Sequence, residues 1–136
     1  MPSTSVVPVP GLGGLPRIEL AAADGARAEI YLHGAHVTSW FPAGAADDRL
    51  FVSAKAIFAD DAPIRGGVPV CFPQFADQGP LPLHGFVRSL SWTLVGTAVR
   101  DDGSAQAHLR CVATSATRAL WPHDFALDYT VTVGGG

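Results

Sequence analysis

The sequence predicts an all-β domain of antiparallel strands, and three observations carry that expectation. Apolar residues recur at a spacing of two rather than 3.6, and turn signals separate the periodic runs. Only one short stretch, SATRAL at 115–120, has the composition of a helical turn. With 136 residues, 48% of them hydrophobic and 15% charged, the chain is long and apolar enough to bury one core.

The elements follow in order. Residues 1–16, MPSTSVVPVPGLGGLP, are rich in Pro and Gly and read as a flexible lead-in, which leaves 17–136 for the domain. Ile30 and Leu32 then alternate with Glu29 and Tyr31, and Gly34 interrupts the pattern, predicting a bulge or tight turn. HVTSWF (36–41) resumes an extended reading because it is rich in β-branched and aromatic residues. LSWTLVGTAV (90–99), the turn signal Asp101-Asp102-Gly103 and AQAHLRCVAT (105–114) make a hairpin, with Ala107, Leu109, Cys111 and Ala113 on one face. Phe125, Leu127, Tyr129, Val131 and Val133 alternate with Ala126, Asp128, Thr130 and Thr132, the sharpest strand pattern in the sequence. This last strand runs into Gly134-Gly135-Gly136, a turn signal with no returning strand. The expectation is an incomplete sheet whose unpaired edge favours self-association.

Charge and composition narrow the function. The formal charge is −3 and the cations, eight Arg and the single Lys55, are scattered, so a nucleic-acid partner is not expected. The N-terminus has no basic residue before Arg17 and no sustained apolar run, and no stretch has the length to span a bilayer. A cytoplasmic protein without a membrane partner is expected, with Cys71 and Cys111 as buried reduced thiols.

The chemistry concentrates in IRGGVPVCFPQFADQGPLPLHGFVR (64–88). Arg65 precedes a Gly-Gly pair. A guanidinium fork suits phosphate or carboxylate, and glycines allow close backbone approach to a ligand. An Arg on a turn whose glycines serve only backbone geometry is the competing reading. His84, Phe86 and Arg88 are spaced by two, so on an extended segment they share one side, where imidazole, ring and guanidinium could read an anionic sugar. Against this stands a structural His beside a surface Arg. Cys71 lies between Val70 and Phe72, a setting for an inert thiol rather than a nucleophile. His33 and His36 form an H-x-x-H pair whose odd spacing puts them on opposite faces of a strand, against zinc binding. His108 reads as solvated, and His123 as a structural residue near Asp124. The only glutamates, Glu19 and Glu29, lie in the opening strands, and no P-loop, G-x-S-x-G elbow or dinucleotide fingerprint is present.

Four blocks in order, HGAHVTSWFP, IRGGVPVCFPQF, LPLHGFVRSLSWTL and ATRALWPHDFALDYTVTV, closely resemble the D-hexose-6-phosphate mutarotases (glucose-6-phosphate 1-epimerases) of the aldose 1-epimerase group. The resemblance covers about Gly34 to Val133 and implies a large antiparallel β-sandwich, the galactose mutarotase-like supersandwich. It also implies an isomerase that interconverts the α and β anomers of a hexose 6-phosphate by acid/base ring opening, with no metal or organic cofactor. By position, Arg65 and Arg88 match substrate-binding arginines and His84 matches a site histidine that orients the sugar. Leu83 stands where some relatives have a substrate-contacting Gln. The family's catalytic acid and base lie beyond the position of Gly136, so the chain resembles roughly the N-terminal half and is expected to lack the proton-transfer pair. Two readings follow: a truncated epimerase, or a non-catalytic sugar-phosphate binding or assembly module.

Overall fold

Alternation at period two builds two antiparallel sheets. The computed structural model describes residues 7–52, 55–59, 62–82 and 84–135. The first sheet runs in order β1 (Val9–Pro10), β2 (Pro16–Ala21), β3 (Arg27–Tyr31), β4 (His36–Phe41). The second contains β5 (Thr93–Val99), β6 (Ala105–Val112) and β7 (Ala126–Val133), with the helix α1 (Ser115–Leu120) between β6 and β7. The helix begins at a capping box, in which Thr114 accepts the Thr117 N–H and Thr117 accepts that of Thr114.

The sheets face one another across a shared core. Ile18, Leu20, Ala28 and Ile30 meet Ala105, Ala107, Leu109 and Cys111, and Phe86, Val87 and Trp92 close it from the long connection. This is an antiparallel β-sandwich: the antiparallel strands are what the periodicity predicts, and the sandwich is what the resemblance implies. The hairpin turn at Asp101-Asp102-Gly103 forms as read, with Gly103 at φ +83°.

Two expectations need correction, in the lead-in and in β3. The lead-in is part of the fold from Val9 onward, pairing Val9 with Arg17 and Pro10 with Pro16. Gly13 and Gly14, both at positive φ, turn the chain back so that Leu15 is buried against Tyr31 and Ile64. In β3 the alternation breaks: Ile30 and Tyr31 are both buried, while Leu32 is half-buried. A register shift between Glu29 and Ile30 leaves one residue for the main core and the next for a second cluster formed with Leu15 and Ile64. In β7 only Val133 is fully buried, and Leu127, Tyr129 and Val131 are half-covered. Among the described residues, β7 has a strand neighbour on one side only. A cleft of about 290 Å³ runs between it and β4, with Val37 and Trp40 opposite Tyr129 and Val131.

Candidate functional site

The site residues sit on the irregular chain between β4 and β5. Isolated bridges tie it to β4 (Val37 with Val68), to the turn before β4 (His33 with Ser91) and to itself (Val52 with Gly66, Phe72 with Gly85). Arg65 is exposed and follows Ile64, which is buried. The glycines after it answer the question of the Gly-Gly pair. A Cβ on Gly66 (φ +111°) would stand 2.5 Å from the Phe51 carbonyl oxygen, and one on Gly67 (φ +62°) 2.2 Å from that of Val37. The pair exists so that the chain can pass between two of its own backbone segments, which is the geometric reading. The Arg65 side chain remains outside this crossing and lines a cavity of about 430 Å³ together with Lys55, Ile57 and Pro63.

His84, Phe86 and Arg88 do not share one side of an extended segment. His84 has φ +63° and Gly85 φ +77°, and Val87–Ser89 forms a 3-10 turn, so the period-two projection does not apply. Phe86 points into the core against Phe125. The aromatic beside His84 is instead Phe75, 5.2 Å between ring centroids and 67% exposed. Phe72, joined to Pro73 by a cis bond, ties this corner with its backbone: its N–H donates to the His84 carbonyl (3.2 Å) and its carbonyl accepts from the Phe86 N–H (3.0 Å).

The imidazole of His84 is oriented by the backbone. Nδ1 accepts the Ala76 N–H at 3.0 Å, so the neutral ring carries its proton on Nε2 and presents a donor. Arg88 is half-buried. Burial lowers its pKa first and the like charge of Arg65 second, opposed by Cys71. The two guanidiniums are thus near enough for their like charges to act on one another, with that of Arg88 partly desolvated.

The remaining candidates resolve differently. His33 and His36 do not take opposite faces of a strand. The chain turns at Gly34 and Ala35 (φ +76° and +48°), and both rings are buried, reaching the carbonyls of Ala62 and Gly66. His108 is not simply solvated but meets Asp128 at 2.7 Å, which also pairs with Arg110 at 2.8 Å. Asp124 pairs with Arg118, and His123 packs on Trp121 at 4.7 Å. Cys111 is buried and unbridged, its thiol pushed up to about 11 by burial. Cys71, also unbridged, is only half-buried, a departure from the expected pair of buried thiols. No group of three His, Cys, Asp or Glu among the described residues is placed to hold a metal ion. Among the described residues no helix is long and apolar enough to cross a membrane.

Sequence reasoning missed Gln74. Its amide donates to the Ala76 and Leu81 carbonyls at 2.8 and 3.1 Å and accepts the Leu81 N–H at 2.9 Å, fastening the loop that carries Phe75 and leads to His84. The signal was present in CFPQF: an amide among apolar residues, next to a proline, must find its partners in the backbone. Leu83 lies outside the described residues.

Comparison with known proteins gives the lineage. Residues 16–136 match the family model described as aldose 1-epimerase. The chain is 43% identical over 110 residues to a "putative glucose-6-phosphate 1-epimerase" of Escherichia coli (strain K12), covering 79% of this chain and 37% of that protein. It is 37% identical over 125 residues to one of the same description from Cenchrus ciliaris, covering 89% and 38%. The chain thus spans well under half the length of either relative. The crystal structure of a "putative mutarotase (YeaD)" from Salmonella typhimurium superposes with a TM-score of 0.83 at 34% identity, over 96% of this chain and 43% of that one. A sandwich with this connection, matched along nearly its whole length, belongs to the aldose 1-epimerase family.

Proposed function

We propose that the chain carries the sugar-phosphate grip of a hexose-6-phosphate 1-epimerase, with glucose 6-phosphate as the probe ligand. Arg65 and Arg88 hold the phosphate, and His84 donates its Nε2–H to the sugar and orients it. What supports this reading is the match to glucose-6-phosphate 1-epimerase relatives, together with a half-buried Arg88 whose pKa is lowered first by burial and second by the like charge of Arg65, both of which a bound anion would offset. In the whole reaction a base takes the proton of the anomeric hydroxyl while an acid protonates the ring oxygen. The C1–O5 bond opens to the aldehyde, rotation about C1–C2 exposes the other face, and closure gives the other anomer.

For this chain by itself the reading is binding without turnover, the behaviour of a sugar-phosphate binding module. The carboxylates of the strands support it, since they are engaged elsewhere. Glu19 and Glu29 pair with Arg17, Asp124 with Arg118, and Asp128 with Arg110 and His108. His84 cannot stand at both the ring oxygen and the anomeric hydroxyl. Each positioned proton-transfer group typically contributes roughly 10²–10⁴-fold, so exchange near the uncatalysed rate is expected. Magnetisation-exchange NMR between the anomeric protons of glucose 6-phosphate tests this. A rise far above background that His84→Ala abolishes would contradict it.

The same reading includes association of two copies through β7, supported by the half-covered Leu127, Tyr129 and Val131 and the cleft beside them. Light scattering should find dimers or larger species; a monodisperse monomer with a cooperative melt would remove this part.

A further inference from the structure

The H-x-x-H pair finds no use as a metal site, yet its placement is too specific for filler. A carbonyl oxygen only accepts hydrogen bonds, so each ring nitrogen that meets one is a donor. His33 Nε2 donates to the Ala62 carbonyl at 2.6 Å, and His36 Nε2 donates to the Gly66 carbonyl. These two carbonyls bracket Arg65. Between them Ile64 is buried against Leu15 and Tyr31. The five residues that carry Arg65 are therefore pinned at both ends and in the middle, while the guanidinium stays outside.

The same turn also braces the other arginine. The Gly34 N–H donates to the Leu90 carbonyl at 2.7 Å, and a Cβ on Gly34 would stand 2.5 Å from the Arg88 carbonyl oxygen. The His33–Ser91 bridge holds the next residues in place. One four-residue turn, His33-Gly34-Ala35-His36, thus touches the backbone of both arginine-bearing segments.

We propose that this turn sets the spacing between Arg65 and Arg88, with His33 and His36 as positioning residues that clamp the Arg65 segment and Gly34 as the seat for that of Arg88. The proposal rests on the sugar-phosphate reading above and adds what fixes the geometry of the grip. Neither imidazole touches the ligand. Each acts through the backbone it holds. The Nδ1 of His36 is buried without a hydrogen-bond partner among the described residues, so the ring is held by its Nε2 bond alone.

The test separates clamping from mere packing. His36→Phe keeps the ring and removes the donor, whereas His36→Gln returns an amide donor at the same reach. Calorimetry with glucose 6-phosphate and with glucose gives the preference for the phosphorylated sugar in the 136-residue chain. The expected result is a preference that falls tenfold or more in His36→Phe and recovers in His36→Gln. Equal weakening for both sugars, or no recovery in His36→Gln, would overturn the clamp. If the parent chain itself shows no preference, the sugar-phosphate reading fails and takes the clamp's purpose with it. Should His36→Phe not fold, nitrogen-15 NMR of the parent chain decides the matter. Both rings must appear as neutral Nε2–H tautomers with slowly exchanging protons, and either ring in the Nδ1–H form would overturn the proposal.

Discussion

The hairpin of β5 and β6 and the connection from Ala62 to Ser89 are built by opposite means. In β6 four alternate residues, Ala105, Ala107, Leu109 and Cys111, are buried, and the ladder satisfies the backbone almost by itself. In the connection there is little ladder, and side chains hold the main chain instead: Gln74 on Ala76 and Leu81, His84 on Ala76, His33 on Ala62, His36 on Gly66. Periodicity supplies stability cheaply but can present only alternate faces. A segment held by individual polar contacts can place a guanidinium, an imidazole and an exposed ring where no strand would put them. It is also the more fragile of the two.

Substitutions sharpen this contrast. The largest effect is expected at Gly85, where an added Cβ would stand 2.0 Å from the Phe72 carbonyl oxygen and the backbone is at φ +77°. Overpacking together with a left-handed non-glycine residue should make Gly85→Ala destabilising by about 4 kcal/mol, read as a lowered urea midpoint. A loss under about 1 kcal/mol would show that the corner yields more easily than its contacts imply. Next comes Leu109→Ala in the regular sheet. Leu109 has no exposure, and a loss of about 3 kcal/mol is expected from transfer and cavity terms. Because the proposed grip draws on no residue of this sheet, the preference for phosphorylated sugar should survive in the folded fraction.

Gln74→Ala follows, at about 2 kcal/mol, since it strips partners from the Leu81 N–H and two carbonyls. Its mark should be local: faster amide exchange at Leu81 and Ala76, with β6 amides unchanged. Equal acceleration in both regions would erase the distinction drawn here.

The smallest effect concerns pH. Burial lowers the pKa of His36, the Gly66 bond opposes this, and the charges of His33 and Arg88 lower it further. The unfolded chain, near 6.5, then binds the proton more readily than the folded one. Stability from this residue is therefore complete above about pH 6.5 and declines as pH falls below it toward the depressed folded value. Melts at pH 7.5 and 5.5 should differ more in the parent chain than in His36→Gln. An equal difference would assign the acid sensitivity to other groups.

What the sequence disclosed divides along the same line. The β5–β6 hairpin, its Asp101-Asp102-Gly103 turn, the helical turn at 115–120 and the buried face of β6 were legible because each rests on periodicity or local turn chemistry. The projection of His84, Phe86 and Arg88 was not, because two consecutive left-handed residues and a 3-10 turn replace the expected strand, and Phe86 fills the core instead. His33 and His36 looked like opposite faces of a strand for a related reason: the positive φ of Gly34 and Ala35 reverses the chain between them. Spacing arguments assume a regular backbone. The candidate site residues lie where the backbone is least regular, so their arrangement could not be read from spacing.

The central claim is that Arg65 and Arg88 form one anion grip, and calorimetry on Arg88→Ala tests it most directly. A charge-assisted contact contributes about 1.5–3 kcal/mol, so the variant should lose about 10- to 150-fold in affinity for glucose 6-phosphate while its affinity for glucose changes little. An equal loss for both sugars, or an unchanged affinity for the phosphorylated one, would contradict the account.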